Sequence, residues 1–425
     1  MAKITILGAG LAGLSAAYHL KKDYQIYEKN EEIGGLCRSN HIDGFTFDCS
    51  GHLLHFQTQK GFDFVHSLLG EELLKHKRRA WIYFKGAYIP YPFQANLYYL
   101  PQVLAHECLQ GMLKRKKLGG DTPVNFSEWL IGKFGKGMVN HFFEPYNTKF
   151  WTLPLEEISY SWAENLVPVP TISEALEGAW KRNKKAFGYN INFWYPKKGG
   201  IKVLIDSLSK SICNIQASKE IKKIDWEAKK VKFNDGEEVE YESLISTLPL
   251  VELIDFLDNA PEEIVASREL LQYVSIYNLN LGIDRERITD KHWIYFPEKD
   301  FIFFRVGFPM NFSKEAAPSG KSSLYAEVSY SSKRPLDNEN IKARIIEDLH
   351  KAKILRGKDK ILAVDENDIR YGYILCDHNY QSSQMKILNF LNSIKIFPIG
   401  RYGRWHYMSM EQVILDGRRI AEMLN

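Results

Sequence analysis

The sequence predicts an α/β fold built from a Rossmann-like domain, a helical insertion and an antiparallel β-sheet domain. Three observations predict it. A strand-length apolar run enters a glycine-rich turn within residues 3–13. Helix-period apolar spacing fills 100–190, broken at Pro101, Gly119-Gly120 and Pro154. Aromatic and β-branched residues alternate through 75–93 and 268–375, as in antiparallel strands. At roughly 150 residues per domain, a chain of 425 residues holds two to three domains. We expect 1–74, 191–265 and 385–425 to form one discontinuous domain, 75–98 and 266–384 the sheet domain, and 99–190 the helical one.

The first unit is the most explicit. KITIL reads as a buried strand, Gly8-Ala-Gly10-Leu-Ala-Gly13 as a turn, and the residues to about Leu20 as an apolar-periodic helix. YQIYE follows as a second strand ending in Glu28, twenty residues after Gly8. Each part has a task in holding a dinucleotide. Gly8 makes the tight turn, Gly10 lets backbone approach a pyrophosphate, and Gly13 packs helix on strand. The helix amino terminus favours the anion, and Glu28 accepts from ribose hydroxyls.

Further along, within 196–250, PKKGG leads into a helix at IKVLIDSLSKSI, then strand, turn and strand around Asp235-Gly236, then a final strand. The lysines and glutamates of that hairpin read as a solvated face without chemistry. At the other end, FPIGRYG reads as strand and glycine turn before a helix over 410–424, with Ser409 and Gln412 spaced as a capping box.

Composition narrows the function. Apolar residues are 45% and charged residues 25%, so the chain is globular rather than disordered. A net charge of +4 suits an anionic small molecule and does not point to nucleic acid. Five cysteines, at 37, 49, 108, 213 and 376, have no metal-ligand spacing and fit reduced thiols in a cytoplasmic protein. No apolar run reaches bilayer length, and no secretory leader opens the chain. The 23 Tyr, 24 Phe and 9 Trp supply either a large core or a site for flat rings and sugars.

Gly34-Gly35-Leu-Cys-Arg38, a second glycine pair followed by a cation, resembles the extra diphosphate contact of FAD-containing amine-oxidase-type proteins. That resemblance makes the first domain a Rossmann-like FAD-binding domain and implies a carboxy-terminal helix aimed at the flavin. Its dipole would favour a reduced, anionic ring. Further stretches are FDCSGHLLHF (47–56), YIPYPFQANL (88–97), FFEPYNTKFWTLP (142–154), HWIYFPE (292–298), FFRVG (303–307), YGY (371–373) and GRYGRWHYMSMEQ (400–412). In order and spacing they resemble UDP-galactopyranose mutases, of the eukaryotic type in the middle and the bacterial type at YMSMEQ.

The resemblance implies interconversion of pyranose and furanose forms of a nucleotide-linked sugar. Reduced FAD attacks the anomeric carbon through N5, the nucleoside diphosphate leaves, and the sugar ring opens through an iminium and recloses. It places His52 beside the flavin ring and makes His52 and Arg305 the catalytic residues. Gly8, Gly10, Gly13, Glu28, Gly35, Arg38, Gly400, Arg401 and Glu411 would hold FAD. Tyr91, Gln94 and Asn147 would surround the nucleoside, Trp293 and Tyr295 the sugar, and Tyr373 and Tyr407 would join Arg305 on the diphosphate. It implies a nucleotide-sugar substrate and a reductant for the flavin, and an oligomer is compatible with it.

Plainer readings stand beside these. A histidine in an apolar segment is commonly a core residue, and His55 has no matched role. Trp293 and Tyr295 alternate along a strand, so their shared face could be core. Arg305, after a run of aromatics, needs an anionic partner, either a ligand or an internal carboxylate. Arg404 and Lys149 read as surface charges. One departure bears on the substrate: the eukaryotic-type mutases carry a diphosphate-gripping arginine where this chain has Leu166. Such a contact is worth about 1.5–3 kcal/mol. Either another cation such as Arg404 or Lys149 replaces it, or the loop aligns differently, or the ligand is not a UDP-sugar. The alternative reading is an FAD-dependent oxidoreductase of the amine oxidase or desaturase type; a third is a flavin-binding protein without catalysis.

Overall fold

The structure is a computed structural model that describes residues 4–115, 122–164, 166–183, 185, 187–188, 190–337 and 339–425. The expected break at Gly119-Gly120 lies outside the described residues.

Ile4–Leu7 is buried along its whole length, as a central strand of a parallel sheet must be. It sits in the middle of five parallel strands ordered Ile396–Pro398, Ser243–Ser246, Ile4–Leu7, Tyr24–Tyr27 and Ile215–Gln216. The helices Leu11–His19 and Met410–Leu424 pack together on this sheet. Ser15 Oγ donates to the Ile414 carbonyl at 2.7 Å, and Leu14, Ala17, Ile414 and Ile420 share one core with Ile6 and Ile26.

The expected hairpin has one strand more than the sequence reading allowed. Ile221–Asp225, Lys230–Phe233 and Glu238–Glu240 form their own antiparallel sheet before Ser243–Ser246. The Asp235-Gly236 turn joins the second and third of these strands. Lysines and glutamates pair across it at exposed positions, with Lys232 2.9 Å from Glu238.

The second large sheet runs in the order Ile361–Leu375, Gln272–Ile283, Ser322–Tyr330, Arg305–Gly307, Trp293–Tyr295, Ala80–Phe84 and Ala87–Pro90. It is antiparallel except where Trp293–Tyr295 runs parallel to Ala80–Phe84, strands drawn from distant parts of the chain. Alternation gives Gln272–Ile283, the second strand in that order, two characters. Tyr277, Leu279, Leu281 and Ile283 pack on Ile341, Ile345 and Leu349 of a helix, Ile341–Lys351, inside a stretch that reads as all sheet. The other face carries Ile276, Asn278, Asn280 and Gly282.

Helices Gln102–Lys114, Phe126–Met138, Glu144–Trp151 and Ile172–Trp180 make up the expected helical region. A π-helical turn, Val139–Phe143, runs the second straight into the third. Their apolar residues, among them Phe134, Phe142 and Phe143, share a core with Val274, Ile276 and Phe304 of the sheet. Asn280 Nδ2 meanwhile donates to the Asp48 carbonyl at 3.0 Å, which ties the same sheet face to the parallel-sheet region. Three layers therefore meet along one polar sheet face.

Candidate functional site

The glycine turn is built as the spacing requires. Gly8 has φ +97°, a region that disfavours side chains, and a Cβ there would stand 2.1 Å from Thr247 Oγ1. A Cβ on Gly13 would stand 2.1 Å from the Gly8 carbonyl oxygen, so this glycine seats the helix on the turn. Gly10 differs. The nearest atom to a Cβ there is Gly35 Cα at 3.8 Å, and Gly34 N–H donates to the Ala9 carbonyl at 2.9 Å. The two glycine turns thus lie back to back with open main chain. No side chain caps the amino end of Leu11–His19 at Gly10, so its first N–H groups are available to an anion.

Buried Glu28 accepts from Ala9 N–H at 2.8 Å and from the N–H and Nδ2 of Asn30 at 3.0 and 2.9 Å. Arg38 Nε is buried with no acceptor among the described residues, a donor held for a group the fold does not supply. Gly400 N–H donates to Asp416 Oδ2 at 2.8 Å. Open glycine backbone, an uncapped helix, a carboxylate at the second strand end and an unpaired guanidinium donor fit a dinucleotide.

The polar sheet face carries the second half. Tyr295, Arg305, Glu327, Asn278 and Asn367 are cross-strand neighbours in one row over five strands. Arg305 grips Glu327 through Nε and Nη2, the latter 2.8 Å from Oε1, with Glu327 2% exposed. The internal carboxylate partner of Arg305 is therefore present and uses one edge of the guanidinium. The Asn278 amide is wholly buried, and neither its oxygen nor its nitrogen has a partner among the described residues.

Arg401 lies 5.0 Å from the Tyr373 ring and 4.5 Å from the Tyr407 ring, and those two rings stack 6.5 Å apart at 10°. The guanidinium is held between them by cation–π attraction, and Nη2 donates to the Gly372 carbonyl at 3.3 Å. Tyr295 meets Tyr91 at 5.4 Å and Tyr146 at 5.5 Å between ring centroids. Burial raises the Tyr91, Tyr146, Tyr295 and Tyr373 hydroxyls, with Arg305 opposing the rise at the last three, so the phenols are neutral donors. Trp293 shares the face of Tyr295 and packs among Phe193, Tyr195, Phe312 and Tyr325. The fold thus gathers Arg305, Arg401, Tyr91, Trp293, Tyr295, Tyr373 and Tyr407.

His52 lies at the edge of this group. Its Nδ1 is 3.2 Å from the Ser50 carbonyl, and burial lowers its pKa against the opposing pull of Asp48. It and Asp48 line a cavity with Asn280 and Tyr325. Three other residues each make a hydrogen bond within the fold. Gln94 Nε2 donates to the Pro168 carbonyl at 2.5 Å, and Asn147 Nδ2 to the Phe143 carbonyl at 2.7 Å. Glu411 accepts from Gln57 N–H at 2.7 Å, Thr58 N–H at 2.9 Å and Thr58 Oγ1 at 2.6 Å. Its carboxylate fastens the start of the last helix to the start of Gln59–Leu69, with three donors satisfying a buried anion.

The cations also need correction. Lys149 is not a surface charge: it is 4% exposed, and its ammonium reaches the Phe296, Glu298 and Phe303 carbonyls. Burial lowers its pKa to about 7. Arg404 pairs with Asp416 at 3.3 Å. Neither is free to replace an arginine at Leu166, which is half-buried with its N–H on the Ala163 carbonyl. Arg78, which the sequence reading passed over, stands 4.8 Å over the Tyr91 ring and acts electrostatically on Tyr295. Its only linear signal is a place in an ordinary basic run, Lys75 to Arg79, beside an exposed strand end.

Residues 11–371 match the family model described as flavin containing amine oxidoreductase. A crystal structure of reduced UDP-galactopyranose mutase is similar over 100% of this chain and 95% of its own, at 28% identity and a TM-score of 0.95. Wild-type putrescine oxidase bound to putrescine covers 100% of this chain and 98% of its own at 16% identity and a TM-score of 0.64, a likeness of fold alone. Among curated proteins, carotenoid 3,4-desaturase of Haloarcula japonica is 44% identical over 48 residues, 11% of this chain. An uncharacterized protein in the nifH2 3′ region of Methanothermococcus thermolithotrophicus is 44% identical over 55 residues, 12% of this chain. The matched stretches span 10% and 53% of those two relatives' own lengths.

Proposed function

The chain belongs to the flavin-containing amine oxidoreductase family and is an FAD-dependent enzyme; from that premise we propose that it is a mutase interconverting pyranose and furanose forms of a nucleotide-activated, UDP-galactose-like sugar. The observation that carries the reading is the half-buried cluster of Arg305, Arg401, Tyr373 and Tyr407 at the polar sheet face. Cations and neutral phenols in one enclosed place are what a diphosphate needs and what an amine substrate does not.

Reduced FAD supplies an electron-rich nucleophile in a reaction without net redox change. Around it, Gly10, Gly35 and Arg38 would hold the pyrophosphate on a turn shaped by Gly8 and Gly13, Gly400 would lie against the cofactor, and Glu28 would take the ribose hydroxyls. Arg401 serves the flavin side. Glu327 orients Arg305 so that its outer N–H groups face the leaving diphosphate, to which Tyr373 and Tyr407 donate. Arg78 adds a second positive charge on the Tyr91 side. Tyr91, Gln94 and Asn147 line the nucleoside, and Trp293 with Tyr295 walls the sugar and excludes water. His52, kept uncharged by burial, lies beside the flavin as a neutral donor or acceptor.

Leu166 favours a second reading, an FAD oxidoreductase of the amine oxidase or desaturase type, because it leaves the loop without a diphosphate cation. One anaerobic experiment separates the two. Dithionite-reduced and oxidised enzyme are incubated with a panel of nucleotide sugars and chromatographed. We expect pyranose–furanose conversion by reduced enzyme only, with no net flavin oxidation. Arg305→Ala should keep its FAD and bind UDP about ten- to a hundredfold more weakly, the loss of one charged hydrogen-bonded contact. No conversion across the panel, with flavin bound, sinks the mutase.

A further inference from the structure

Lys149 is a buried cation that the mechanism above does not use. A lysine this enclosed is rare unless its charge is compensated. Here compensation comes from main chain: Nζ lies 2.7 Å from the Phe296 carbonyl, 3.3 Å from the Phe303 carbonyl, and also on that of Glu298. An ammonium has three donors, and all three are taken.

The positions of those carbonyls matter more than their number. Phe296 directly follows Tyr295 at the end of one strand, and Phe303 comes two residues before Arg305 at the start of the next. The lysine head therefore draws together both ends of the 296–304 connection. Its own helix, Glu144–Trp151, carries Tyr146, whose ring meets Tyr295, and Phe150, whose ring meets Tyr373 at 4.6 Å. Arg334 Nη1 donates to the Lys149 carbonyl at 3.2 Å and fixes the helix from the far side.

We propose that Lys149 is a positioning residue: its ammonium registers the helix Glu144–Trp151 against the strand ends that carry Tyr295 and Arg305. A solvated anion such as the nearby Asp300 could have neutralised the charge with less desolvation. Three converging carbonyls instead fix direction as well as charge, and the Phe303 carbonyl, two residues before Arg305, sets where its guanidinium starts. The clamp stands independently of the substrate, whereas its effect on nucleotide affinity rests on the mutase reading.

The test compares wild-type, K149M and K149R holoenzyme by hydrogen–deuterium exchange, with the Gln272–Ile283 strand as internal control. K149M keeps the stem and removes every donor. We expect exchange over 293–307 to rise at least tenfold while the control strand and FAD content stay unchanged, and K149R, with its forked donors, to recover most of the protection. The Kd for UDP should rise at least tenfold in K149M and return toward wild type in K149R. If K149M does not accumulate folded, K149Q, with two donors on a shorter stem, decides by the same readout. Unchanged exchange over 293–307, or loss of protection spread evenly over the molecule, overturns the proposal. A wild type that does not bind UDP, with exchange still rising locally in K149M, upholds the clamp and defeats the substrate reading instead.

Discussion

Gly10 and Gly13 stand three residues apart in one turn, yet their surroundings predict opposite failures. A Cβ at 13 runs into the Gly8 carbonyl at 2.1 Å, whereas at 10 it meets nothing closer than 3.8 Å. Gly13→Ala should cost stability by at least about 1–3 kcal/mol, since helix and turn must separate. Gly10→Val should fold and lose FAD, because its methyl groups occupy the place of the pyrophosphate. Flavin absorbance per protein, beside circular dichroism, checks both; a yellow Gly10→Val overturns the reading of that turn. These glycines were legible because backbone geometry depends on close sequence neighbours. Lys149 and Glu411 were not. What surrounds a long polar side chain is decided by segments 147 and 354 positions away, and nothing local distinguishes a lysine that meets three carbonyls from one that meets water.

Elements were legible where their ends carry side-chain signals. Ser409 accepts from Gln412 N–H and Gln412 caps Ser409 N–H in return, so the last helix begins at Met410 as its spacing predicts. Ser409→Ala should cost about 1 kcal/mol. Glu411→Ala should cost more, since it leaves the Gln57 and Thr58 donors without their acceptor. A thermal melt of both variants checks the order, and equal shifts would mean that Glu411 is not the fastening. The extra strand at Ile221–Asp225 escaped notice because its turn, Trp226–Lys229, holds no glycine or proline. It closes instead through Ala228 N–H on Asp225 Oδ1 at 2.8 Å, with Lys229 at φ +54°. Ile341–Lys351 escaped because its i, i+4, i+8 stripe sits inside a long run of strand-like residues.

At the scale of the whole molecule, the class of fold was readable from three patterns. The order of strands was not, because pairing in a parallel sheet leaves no turn in the sequence to mark it. The site inherits this: Arg305 and Tyr373 come from strands 68 residues apart and meet only through the sheet, while Arg401 and Tyr407 arrive from the short helix Gly400–Gly403 and the residues after it. The last helix belongs to the same assembly. A chain ending at Ser409 should leave Leu14 and Ala17 without their partners Ile414 and Ile420. We expect such a chain to be recovered without FAD and to unfold at lower temperature than the full chain; full flavin content in it would show the helix to be dispensable.

The placement of Ile4–Leu7 between strands that begin at residues 24 and 243, with the strand at 396 one place further out, also bears on how the protein is made. At the usual 5–20 residues per second, a ribosome needs roughly 20–80 s between residue 7 and residue 396. Until residues 243–246 emerge the earliest strand has one flank unpaired, and through the whole interval its helix lacks the cover of the last one. The sheet region and the helical region can condense first, but the glycine turn cannot be closed from behind until the final strand and helix emerge. Acquisition of the cofactor is therefore a late event, and a nascent chain stalled before residue 243 presents the same apolar strand to chaperones that the finished enzyme keeps buried at its centre.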